Sequence, residues 1–94
     1  MKTLTVNVTQ AHITAGWPGS SRRCPIALAL IEALAFHYPF QPVVEVGVFG
    51  FSIFNPGDET DSTTVFLPYI AAWFIEQIDS GLPVTPITFE ITLP

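Results

Sequence analysis

Arg22-Arg23-Cys24-Pro25 concentrates most of the chemistry this sequence offers. Two of only three basic residues and the single cysteine stand there, directly after Ser20 and Ser21. Pro25 suits the first turn of a helix, where its missing N–H costs nothing, and either serine hydroxyl can cap that helix. The free N–H groups and dipole of a helix start attract anions, whereas positive side chains are disfavoured there unless something negative compensates. Arginine binds phosphate or carboxylate through two parallel hydrogen bonds. Trp17, in a loop just upstream, offers a flat face on which a base could stack. Trp17, Ser20, Ser21, Arg22 and Arg23 are therefore the candidate site for a nucleotide-like anion, which a second subunit could complete. The plainer alternative pairs the arginines with Asp58, Glu59 or Asp61 and makes Trp17 a lid on the core.

Cys24 and His12 would form a nucleophile–base pair. A thiol at a helix start beside two arginines is expected to have a lowered pKa. No oxyanion hole or third orienting residue accompanies them, and a lone cysteine usually packs as a small buried apolar group. The expectation is therefore a binding protein and not an enzyme, with Cys24 and His12 as further candidate ligand contacts. Two histidines and one cysteine are too few soft ligands for a structural zinc site, and the single cysteine excludes an internal disulfide. Asp58-Glu59-Thr60-Asp61 lacks the spacing and glycine of a calcium loop and reads as a solvated hairpin tip. His37 reads as a helix C-terminal cap. No metal and no cofactor is expected.

These residues must be positioned by ordinary elements. Leu4, Val6 and Val8 alternate with polar residues from Thr3 to Thr9, the period of a half-buried strand. Thr9 can cap a short turn through Ala15 that closes at Gly16. Trp17 to Ser21 is a loop. A helix runs from Arg22 or Cys24 to Phe36 and stops at His37-Tyr38-Pro39-Phe40-Gln41-Pro42. Val43 to Phe54 reads as one long strand, in which Gly47 and Gly50 mark a bulge, a bend or a close backbone approach. Asn55-Pro56-Gly57-Asp58 is a turn, and Ser62 to Leu67 is the returning strand. A second helix starts on Pro68, runs to Ser80 and is capped by Gly81. Ile87, Phe89, Ile91 and Leu93 alternate cleanly in a last strand. The expected fold is a single α+β domain over residues 1–94. Its order is β-α-β-β-α-β, a ferredoxin-like antiparallel sheet with two helices on one face.

Composition then poses a problem. Charged residues are 12% of the 94, against about 25% in an average soluble domain, while apolar types reach 49%. Between Cys24 and Phe36 the one charged residue is Glu32, and Tyr69 to Ile75 has none. A helix apolar all round is normally buried all round, yet the outer helix faces of a two-layer domain look at water. Burying ~300 Å² more would yield about 7 kcal/mol gross, so a homo-oligomer, by default a symmetric dimer, is expected. A net charge of −5 with only Lys2, Arg22 and Arg23 basic leaves no footprint for general nucleic-acid binding. The alternating N-terminus is unlike a signal peptide, and no apolar stretch approaches the ~20 residues that span a bilayer. A cytoplasmic location is expected.

The stretch Val8-Thr9-Gln10-Ala11-His12-Ile13, then Gly16, then Cys24-Pro25-Ile26-Ala27-Leu28-Ala29 resembles small proteins of tailed bacteriophages and related prophages. Those read V-T-x-x-H-I, a glycine, then C-P-[VI]-A-L-A. Ile78-Asp79-Ser80-Gly81 and Thr85–Leu93 correspond to their last helix, turn and strand. The resemblance implies phage origin and action in the host cytoplasm, and it supplies no activity. Phage accessory proteins of this size commonly block host defences. Three functions follow in order: an oligomeric binder that sequesters a nucleotide-like anion, an inhibitor that seats apolar helices or the acidic hairpin tip on a host defence protein, and a Cys/His enzyme.

Overall fold

The computed structural model describes residues 2–38, 42–47, 49–55 and 58–94. The two alternating segments at the chain ends pair with each other. Strand β1 (Lys2–Val8) runs antiparallel to β5 (Ile87–Leu93), with Leu4 opposite Ile91 and Val6 opposite Phe89. Because strand side chains alternate between faces, Val6, Val8, Phe89, Ile91 and Leu93 enter the core together. Asn7 and Thr88 meet on the wet face, where the threonine hydroxyl donates to the amide oxygen at 2.9 Å.

The long strand expected over Val43–Phe54 is two strands. The chain reverses between β2 (Val43–Val46) and β3 (Gly50–Asn55), where the Gly47 N–H donates to the Gly50 carbonyl at 2.8 Å. A side chain at Gly50 would put its Cβ 2.7 Å from the Val65 carbonyl oxygen. The glycines therefore serve a tight reversal and a close approach to β4 (Asp58–Phe66), which begins at Asp58 instead of Ser62. Pro56 and Gly57 of the expected turn, and Pro39, Phe40 and Gln41 after the first long helix, lie outside the described residues. The sheet order is β2-β3-β4, and β1-β5 forms a second sheet. The protein is thus α+β with antiparallel strands, in the order β-α-α-β-β-β-α-β.

The second α in that order is where composition misleads. Thr9 caps α1 (Gln10–Ala15) by accepting the His12 N–H, and the Thr9 N–H donates back to His12 Nδ1 at 2.9 Å. This is a capping box with histidine in the place usually held by glutamate. Nδ1 accepts there, so Nε2 carries the proton that bonds the Glu32 carboxylate at 2.8 Å. Glu32 belongs to α2 (Pro25–Leu34), which packs against α1, β1 and β2. Within α2 only Glu32 is exposed. A second chain is not required to cover this helix, because α1 and the two sheets already do. At Gly16 an added Cβ would lie 2.6 Å from the Pro25 ring, so the passage from α1 to α2 requires glycine for space.

Helix α3 (Tyr69–Asp79) is different. Pro68 is its extended N-cap, one residue outside the helix. At the other end Gly81 takes φ +76°, its N–H reaches the Ile78 carbonyl, and the Leu82 N–H reaches Gln77 at 3.0 Å. Those two bonds are the Schellman closure that a left-handed glycine permits. Ala71, Phe74 and Ile78 face the core, and Tyr69, Ile70 and Trp73 do not.

Candidate functional site

The loop before α2 is built largely by its own backbone. The Trp17 N–H donates to the Arg23 carbonyl at 2.8 Å, and Cys24 N–H donates to the Ser20 carbonyl at 3.1 Å. The Ser20 hydroxyl accepts from the Arg23 N–H. Ser21 accepts from the Val46 N–H at 2.7 Å, which ties the loop to β2. Neither serine caps α2; Cys24 does, its sulfur accepting from the Ala27 N–H. The serines close the preceding turn instead.

The arginines find partners nearby. Arg23 lies over the Trp17 ring, 5.4 Å from its centre, and Trp17 is 61% exposed, so it is no lid on the core. Arg22 Nη2 is 3.4 Å from Glu45 Oε2, with both side chains about half exposed. The side chains of Asp58, Glu59 and Asp61 lie outside the described ones. Ser20, Ser21, Cys24, Gly47 and Asp79 do line a small hollow of about 130 Å³. Into it comes a carboxylate: Asp79 Oδ1 accepts the Gly19 N–H at 2.8 Å. An incoming phosphate would find that amide already engaged and would sit against a negative charge.

Cys24 and His12 are not brought together. His12 bonds Glu32, which lies eight residues along α2 from Cys24, a separation of about 12 Å at helical rise. The expected lowering of the thiol pKa is also reversed. Burial pushes the Cys24 thiol up, Asp79 adds to the push, and the opposing amide hydrogen bonds from Ala27 and Ile26 do not overcome it. Cys24 is a protonated, buried cap. A denatured chain releases the thiol proton near pH ~8.5, while the folded chain holds it to higher pH. Stability from this group is therefore full below that value and declines as pH rises. Urea midpoints should fall between about pH 8 and 10, and Cys24→Ala should flatten the decline. An equal decline in the variant would contradict the assignment.

The larger opening lies elsewhere. Tyr69 and Trp73 stand one turn apart and so share a face of α3. Phe66 points outward from β4 because its neighbours Val65 and Leu67 point inward. Phe49 is fixed beside them when its carbonyl accepts the Leu67 N–H at 3.0 Å. Tyr69 and Phe66 are each 83% exposed, Phe49 77% and Trp73 43%. Phe49, Tyr69, Trp73, Ile75, Glu76 and Asp79 enclose a cleft of about 660 Å³. Phe49 and Phe66 also border a neighbouring hollow of about 310 Å³, so the aromatic surface is continuous from α3 to the β2–β3–β4 sheet.

Sequence reasoning anticipated the bare apolar side of α3 and missed Phe49 and Phe66. A signal for Phe66 was present: Val65-Phe66-Leu67 is apolar at three successive positions, and a strand must send one of them to the other face. Phe49 gave none, since it sits in the reversal and not in a strand. Among the described residues, no three His, Cys, Asp or Glu side chains are grouped to hold a metal ion. Among them, too, no helix is long and apolar enough to cross a membrane. Compared with family models, with curated proteins and with solved structures, the chain gives no match.

Proposed function

We propose that this is a non-enzymatic binding protein that works by seating its aromatic face on another protein. The observation that carries this is the exposure of Phe49, Phe66, Tyr69 and Trp73 on one continuous surface. Soluble chains seldom leave such a patch bare unless it binds something, and aromatic side chains dominate the energetics of protein contacts. With the phage resemblance, the partner would be a host protein and the role inhibitory, of the counter-defence kind. Peptides selected from a random displayed library on the immobilised protein test the proposal. Their amide-shift footprints should fall on Gly50, Phe66 and Tyr69 to Ser80; footprints confined to Gln10–Ala15 or Trp17–Arg23, with α3 unshifted, would overturn it.

The nucleotide-anion reading keeps one supporting observation, the exposed Arg23–Trp17 stack. If it holds, a panel of nucleotides raises the melting temperature and Arg22→Ala with Arg23→Ala removes the rise. Self-association through the aromatic face is the homo-oligomer expectation in its present form, now resting on α3 without α2. For the architecture, we propose a two-layer, ferredoxin-like arrangement modified by the β2–β3 reversal. It is supported by α2 packing on both β1 and β2; β4 beside β5 departs from the ferredoxin-like order, in which the last strand neighbours the first alone.

A further inference from the structure

One stripe of α3 changes character along its length. Tyr69 and Trp73 supply aromatic walls at its start, and Glu76, Asp79 and Ser80 follow at its end. The negative end of the helix dipole lies at those carboxylates, where it disfavours them unless a cation offsets the charge. The Glu76 carboxylate has no hydrogen-bond or ion-pair partner among the described residues, and the residue is exposed. Asp79 accepts one amide hydrogen bond and has no cationic partner among them. The cleft thus combines aromatic faces, which attract cations, with two carboxylates and a helix C-terminus.

Resting on the aromatic face as a docking surface, we propose that its occupant is a basic amphipathic segment of a different protein. The partner's apolar side chains lie on Phe49, Tyr69 and Trp73, and its arginine or lysine enters between Trp73, Glu76 and Asp79. From Tyr69 to Asp79 the stripe is about 15 Å long, the span of about four or five extended residues. Charge selects this occupant over a second copy. Each copy carries −5, and an isologous contact would bring like carboxylates together. Of the chain's three basic residues, Arg22 faces Glu45, Arg23 lies on Trp17, and Lys2, exposed at the start of β1, does not line the cleft.

The probes are two dansylated peptides of about eight residues, leucine-rich in the first half, with arginine or its neutral isostere citrulline in the second. The arginine peptide should bind at least about tenfold more tightly, and the advantage should shrink as salt rises toward about 0.5 M. Glu76→Gln, at an exposed and unpartnered position, should remove a large part of the advantage, and adding Asp79→Asn should remove most of the rest. Asparagine keeps an oxygen for the Gly19 N–H, so the loop is retained. Equal binding of both peptides overturns the cation preference, and if Tyr69→Ser still weakens both, the docking face survives. Binding of both that ignores Tyr69→Ser overturns the docking face as well. Failure of the arginine peptide to bind at about 1 mM, or tighter binding of a second copy than of the peptide, also overturns the inference.

Discussion

Replacing Phe66 with threonine and Tyr69 with serine should leave folding stability within about 1 kcal/mol of the wild type. The same change should weaken a face-binding peptide by about a hundredfold. Both side chains are 83% exposed, so truncation returns little apolar surface from the core to water. Threonine suits the strand end at Phe66, and Tyr69 is the first residue of α3, ahead of any turn it could disturb. Against a partner the same atoms become buried, and central aromatic residues commonly cost about 2 kcal/mol or more when truncated. At 1.4 kcal/mol for each tenfold, two such losses exceed a hundredfold even with some overlap. Urea denaturation and fluorescence anisotropy read the two effects separately. A stability loss above about 2 kcal/mol would return these residues to the core, and unchanged binding would place the interface elsewhere.

Phe74→Ala should do the opposite. Phe74 neighbours Trp73 in sequence but projects to the other side of α3, where it is fully buried with Ala71 and Ile78. Removing a buried phenyl ring costs about 3–5 kcal/mol through lost transfer and the cavity left behind. A domain of this size has only about 5–15 kcal/mol in total, so the melting temperature should drop by about 15 °C or more. A drop under about 5 °C would show that α3 does not pack through the Ala71–Phe74–Ile78 stripe.

Much of the framework was legible because it depends on short-range signals. Ile87 to Leu93 alternates without interruption, Thr9 stands where a cap is needed, and Gly81 ends α3 in the one conformation that glycine alone takes cheaply. The β2–β3 reversal was not legible. Val43 to Phe54 is β-forming apart from its two glycines, and Val48 and Phe49 between them are not turn formers. Nor was the cover on α2, which comes from a six-residue helix whose N-terminus is closed by a histidine. Composition counted apolar residues correctly but could not assign them to burial within the chain or to a face outside it.

The candidate site divided along the same line. The loop holding Trp17, Ser20, Ser21, Arg22, Arg23 and Cys24 does form one corner, as its proximity in sequence required. What occupies that corner is Asp79, some sixty residues away, and the carboxylate beside Arg22 is Glu45. Long-range partners decide charge, and no local pattern names them. Cys24 shows the consequence: the helix start and the arginines argued for a lowered pKa, but desolvation outweighs the amide hydrogen bonds of the helix start and Asp79 adds to the rise.

The chain's two tryptophans provide the most direct test, since Trp73 lies on the aromatic face and Trp17 in the arginine corner. In a Trp17→Phe variant, a selected peptide should shift Trp73 emission to the blue and cut its acrylamide quenching by about half. If Trp73 emission stays where it was while Trp17 responds in the Trp73→Phe counterpart, the aromatic face is not the surface this protein works through.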